Sequence, residues 1–273
     1  MKKLLLCAAI IGTATAFAQE AATKKVNAGL HFGTGINFNK SATKRMDVPR
    51  NGTNLNIGVV FHYKMSNSIG FATGLDVDFD KNFIKPGVAG NDFSGTSYYH
   101  YSDTEILKSS DVTATSNLFQ MVTREQKPIY LSIPTEMLFR TKFFGYCRFY
   151  GKFGLRTSFL MSNKINDVGF IFDDNDVNKD QAATENNLMT ASRDMNFVRS
   201  SVGFSLGGEW NFSGSTSLIF EAGYRYGFIP IYASNKEKNQ TLYYHEGNNT
   251  SVRKYYSNAM TQNQLTFKLG ILF

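Results

Sequence analysis

From Val26 onward the chain alternates between apolar and small or polar residues, and the alternation recurs in blocks. Over Val26 to Phe38 one face carries Val26, Ala28, Leu30, Phe32, Thr34, Ile36 and Phe38, and the other Asn27, Gly29, His31, Gly33, Gly35 and Asn37. A period of two over thirteen residues predicts a strand with one greasy face. The same pattern predicts strands over Asn54 to Met65, Ile69 to Phe79, Pro128 to Arg140, Cys147 to Met161, Val198 to Phe212, Thr216 to Phe228 and Ala259 to Phe273. Pro134 has no amide hydrogen for a ladder, so a bulge or locally broken pairing is expected in the fourth strand.

The connections alternate in length. Residues 39 to 53, 80 to 126, 162 to 194 and 229 to 258 are long, whereas Ser66-Asn67-Ser68, Lys142 to Gly145 and Ser213-Gly214-Ser215 are tight turns. Eight strands with this order of connections predict an all-β, eight-stranded antiparallel up-and-down transmembrane β-barrel with long extracellular loops. Period two alone also suits a soluble ligand-binding barrel. Residue size separates the two, because a narrow eight-stranded interior has no room for the Phe, Leu and Ile rows, whereas glycines, serines and paired charges fit it. Phe38, Tyr63, Phe79, Trp210, Phe212 and Tyr226 near strand ends suit interfacial girdles.

The N-terminus supports export. Lys2 and Lys3, the apolar stretch Leu4 to Ala16 and the small-residue site Ala16-Phe17-Ala18 predict a signal peptide over residues 1 to 18, with the barrel domain over 19 to 273. Leu4-Leu5-Leu6 lacks the small residues that a lipid-modified Cys7 would need before it. After cleavage Cys147 alone is left, so no intrachain disulfide is expected. The formal charge of +7 falls to +5 without Lys2 and Lys3. It is spread without basic runs, which argues against nucleic acid as a partner. No stretch reaches the 18 or so apolar residues of a membrane helix.

Ile129-Tyr130-Leu131-Ser132-Ile133-Pro134, continued by Thr135-Glu136-Met137-Leu138, resembles the Y-L-x-I-P-L-x-L strand of the PorT-like outer-membrane barrels. Gly151-Lys152-Phe153-Gly154 and the segment Leu269 to Phe273 are similar as well, although Thr135 stands where that family more often has Leu. The resemblance implies a bacterial outer-membrane location, outer-membrane lipid as surroundings, and recognition of the terminal Phe273 by the barrel-insertion machinery. The family name comes from a protein needed for type IX secretion, so secretion-system proteins are implied as partners. Fold carries over further than function.

Three groups of residues invite chemistry. The charges expected to face the lumen are Asp76, Asp78, Glu136, Arg148, Lys152, Arg156, Arg199, Glu209, Glu221, Arg225 and Lys268; confined to a narrow barrel they must pair, either as a plug or as a selectivity path. Tyr98, Tyr99, His100 and Tyr101 with Tyr243, Tyr244 and His245 suit either a recognition surface for an extracellular ligand or packing among the loops. Asp174, Asp176, Asn178, Asp180 and Glu185 match calcium-loop spacing, but Lys179 stands where that loop needs glycine. His31 and His62 face the lumen, and no Ser-His-Asp set follows from the spacing, so neither an enzyme nor a cofactor is expected. A structural or interaction role is the leading expectation, with accessory work in type IX secretion and a small-solute channel as alternatives.

Overall fold

In a computed structural model the structure describes residues 25–87, 96–172, 184–190, 195–232, 240–245 and 253–273. The expected signal peptide lies outside them. Eight long strands follow in chain order: β1 (Val26–Ser41), β2 (Gly52–Lys64), β3 (Ile69–Pro86), β4 (Asn117–Arg140), β5 (Cys147–Phe172), β6 (Val198–Ser213), β7 (Thr216–Gly227) and β8 (Met260–Leu272). Each pairs antiparallel with its neighbours in sequence, and β8 pairs with β1. The ring is closed, so no barrel strand leaves an unpaired edge in the membrane. Among the described residues no helix is long and apolar enough to cross a bilayer.

The two faces separate as the alternation dictates. Phe32, Ile57, Phe153, Phe204, Leu206, Phe220 and Leu269 stand exposed on the outside. On β3 the apolar outward positions run from Ile69 to Phe79. Ten residue steps at about 3.4 Å, with a tilt of about 40°, give roughly 26 Å of height, the height of an outer-membrane apolar band. Two of the three tight turns contain a glycine in the left-handed region, Gly145 (φ 63°) and Gly214 (φ 54°), where a side chain would be strained.

Pro134 interrupts the sheet on one side only. Thr73 pairs with Thr135 and Asp76 with Ser132, but no pairing joins the residues between them, and the Thr73 hydroxyl donates to the Pro134 carbonyl at 2.9 Å. Pro134 still pairs with Arg156 of β5, and the bulge falls instead at Ile129/Tyr130.

The strands overrun the expected limits. β3 continues to Pro86, β4 begins at Asn117 and β5 reaches Phe172, so much of what reads as loop is sheet standing above the membrane. Short strands complete it. Met46–Asp47 pairs with the end of β3, Ser97–Ser102 with β4 and Thr184–Thr190 with β5, and a hairpin of Tyr243–His245 and Arg253–Tyr255 joins through Tyr243 to Tyr98. A core of Tyr99, Ile106, Phe119, Met121, Ile165, Leu242, Tyr244 and Tyr256 lies within this extracellular part.

Candidate functional site

The lumen holds the densest collection of chemistry. At its centre Arg156 on β5 meets two carboxylates of β3, with Nη2 at 2.8 Å from Asp78 Oδ1 and 2.9 Å from Asp76 Oδ2. Asp76 also accepts from Lys268 Nζ at 3.2 Å and lies 3.2 Å from His31 Nε2. The Ser132 hydroxyl donates to Asp78, and Arg199 reaches Asp80 at 2.6 Å and Gln262 while lying 3.9 Å over the Tyr130 ring. Asn54 and Asn37 donate to the other oxygen of Asp80 at 2.7 and 3.1 Å. Toward the periplasmic end Arg225 binds Glu136 at 2.8 Å, Lys152 binds Glu221 at 2.6 Å, and Arg148 grips Glu209 with two bonds of 2.8 Å. Six carboxylates thus meet six bases, most of them from strands that are not neighbours in the ring and Arg148–Glu209 from the adjacent β5 and β6. Arg140 adds a seventh base at the end of β4.

All eleven lumen charges expected from the alternation face inward. Asp80 is the twelfth. It continues the step of two from Asp76 and Asp78, but lies one residue beyond the predicted strand end. Besides Arg199, its partners Asn37 and Asn54 carry no charge to draw attention.

Apolar groups stand on lumen-facing positions at both ends of this network. Val60, Ala72, Leu138, Tyr150, Ile219 and Leu272 pack together on the periplasmic side. Met46, Ile84, Tyr130, Leu160, Met195, Ile231, Tyr232 and Met260 pack together on the extracellular side. Between them the cavity lined by His31, Glu136, Lys152, Glu221 and Lys268 measures about 10 Å³. That is room for about one water.

The seven loop aromatics come together in one assembly. Tyr98 lies 5.7 Å from Tyr243 and 4.9 Å from His245, ring centre to ring centre, and His100 stacks on Tyr243 at 5.2 Å. Tyr99, His100, Tyr243 and Tyr244 are buried, whereas Tyr98, Tyr101 and His245 are half-buried. The first four offer almost no outer surface. Nearby, Arg124 and Asp167 form a fully buried pair with bonds of 2.9 and 2.7 Å. Neither was expected, because both lie where the sequence reads as loop. Burial pushes the Tyr256 hydroxyl up to about 12; it shares a 2.6 Å hydrogen bond with Ser97. Asp174, Asp176, Asn178 and Asp180 lie outside the described residues, as does the side chain of Glu185.

Residues 17–233 match the outer membrane protein beta-barrel domain family. The chain belongs to that family. It is therefore an integral outer-membrane protein, and the lipid-facing rows and the closed ring agree with that placement. No curated protein matches the sequence. Similar solved structures include Ail, the attachment invasion locus protein of Yersinia pestis, at 13% identity and a TM-score of 0.35, covering 92% of this chain and 100% of that one. Others are OprG from Pseudomonas aeruginosa (10%, 0.41, 90% and 93%) and Neisserial surface protein A (11%, 0.36, 91% and 96%).

Proposed function

We propose that this outer-membrane β-barrel is a sealed, non-enzymatic barrel with a structural and interaction role, presenting its extracellular sheet to the surroundings. The observation that carries the reading is the lumen, where carboxylates and bases from different strands bind one another between two apolar clusters. A permeation path needs a continuous column of water and mobile counter-ions, and charges paired at 2.6 to 3.2 Å around a cavity for about one water leave no continuous space for them. Planar-bilayer recording of the purified protein tests it. The expected result is no stepwise current at millimolar to molar salt, and steady ohmic steps in proportion to protein added would return the small-solute channel to first place.

A second reading, accessory work in type IX secretion, draws support from the Ile129 to Leu138 strand and its Ile-Pro step. Affinity capture from native outer membranes tests that one, the expected companions being secretion components. The terminal Phe273, whose amide donates to Ala28 at 2.7 Å, suits recognition by the insertion machinery before the ring closes.

A further inference from the structure

The outward face of the barrel changes abruptly at the upper edge of its apolar band, and the change is densest on β2 to β5. Leu55, Phe79 and Ile129 form a cross-strand row on β2, β3 and β4. One outward step higher stand Lys81 and Lys127, with the Asn82–Gln126 pairing setting them side by side, and Lys164 of β5 is directly opposite Lys127. Other sectors carry aromatic residues near this edge, with Phe38 on β1, Phe197 before β6 and Phe228 after β7, all exposed.

Like charges directly opposite one another on neighbouring strands are destabilising. Glu125 relieves part of the conflict, binding Lys81 at 3.0 Å and Lys127 at 2.9 Å through the same oxygen. Among the described residues Lys164 has neither an ion-pair nor a hydrogen-bond partner for its ammonium. Above the row Arg50 lies 3.6 Å over the Phe83 ring. Beside it is an open groove of about 390 Å³, bordered by Pro49, Arg50, Phe83, Thr123, Glu125 and Asn166. Four cations against one carboxylate leave a local excess of three positive charges. At about 5 Å between neighbouring strands, the ammonium groups lie close enough to share one compact anion.

We propose that the Lys81, Lys127 and Lys164 row and the adjoining groove bind the phosphorylated sugar headgroup of a glycolipid in the outer leaflet. Height selects a lipid, since the row begins where the apolar band ends and a molecule with its chains along Leu55, Phe79 and Ile129 would carry its headgroup there. Charge selects phosphate, which accepts from several ammonium groups at once. The polar groove edge formed by Thr123, Glu125 and Asn166 suits sugar hydroxyls, and the volume lies in the range of small-ligand sites.

The test uses the full-length protein folded in non-ionic detergent, with heat-dependent gel migration confirming that each variant is folded. A diphosphorylated, lipid-A-type glycolipid, the same lipid stripped of phosphate, and inorganic phosphate are the three probes, and native mass spectrometry reads retention. About fivefold in affinity per lysine near an anionic surface predicts a loss on the order of a hundredfold for the triple variant Lys81→Gln, Lys127→Gln, Lys164→Gln. Glu125→Gln, which frees two ammonium groups, should tighten retention. Lys142→Gln, in a periplasmic turn, should change nothing. Equal retention by the triple variant, equal retention of the stripped lipid, or inorganic phosphate held as tightly as the glycolipid would each overturn the proposal.

Discussion

Glu136 and Arg225 form one directly bonded pair within the lumen network, one oxygen against one nitrogen at 2.8 Å, both buried. Removing one partner leaves the other charged and without its counter-ion in a space of low polarity, so Glu136→Gln or Arg225→Gln alone should cost about 3–5 kcal/mol. The double variant should recover much of that loss, because two neutral amides of similar shape bury no unmatched charge. Urea unfolding in lipid vesicles would measure the cycle, and additive losses would mean that the two groups do not depend on each other. Gly207 makes a steric point at the same scale. A methyl group there would lie 2.7 Å from Cε2 of the Tyr150 ring, whose hydroxyl donates to Glu221 at 3.3 Å. Gly207→Ala should therefore displace the ring and destabilise the barrel by about 1–3 kcal/mol, read in the same unfolding assay.

At the scale of the element, the extracellular sheet behaves as an addition with its own core, and Tyr256 gives it a pH limit. An exposed tyrosine loses its proton near 10, whereas burial holds the Tyr256 proton to about 12. The closed form thus keeps a proton that an opened form gives up between these values. Its stability is complete below pH of about 10 and falls above it by about 1.4 kcal/mol per pH unit. Near-ultraviolet circular dichroism should show the aromatic signal of the wild type decaying over that interval, with the decay reduced in Tyr256→Phe, which keeps the ring and loses the ionisable group. The same boundary explains what the sequence could reveal. Within the membrane, outward Phe and Leu against inward Gly, Ser and charge leave no doubt about strand or face. Above Phe79, Ile129 and Met161 the outer face meets water, so the contrast inverts: Lys81, Lys127 and Lys164 point out while Ile84, Met121 and Ile165 are buried within. Bulges at Met121/Thr123 and Ile129/Tyr130 break the phase again. An alternation that inverts and slips reads as loop, which is why Asp80, Arg124 and Asp167 were missed.

For the whole molecule, the proposed seal has parts arranged in series, and this makes a demanding prediction. Flow along a tube stops at its tightest point, so opening one end of the lumen does nothing while the other remains packed. Leu138→Ala with Tyr150→Ala removes the two largest side chains near the β4–β5 side of the periplasmic cluster but leaves Tyr130, Leu160, Tyr232 and Met260 across the extracellular side. This variant should stay silent in planar bilayers, as should Tyr130→Ala with Met260→Ala alone. Combining all four substitutions thins both clusters, so that the ion pairs around Arg156 become the main barrier between them and exchange with water that now reaches them from both sides. Fluctuating conductance should then appear, and raising the salt should increase it by screening the pairs that remain. Steady conductance in either two-residue variant would mean that a single cluster closes the lumen, and silence in the combined variant would mean that the ion pairs and the residues left in the clusters suffice to close it.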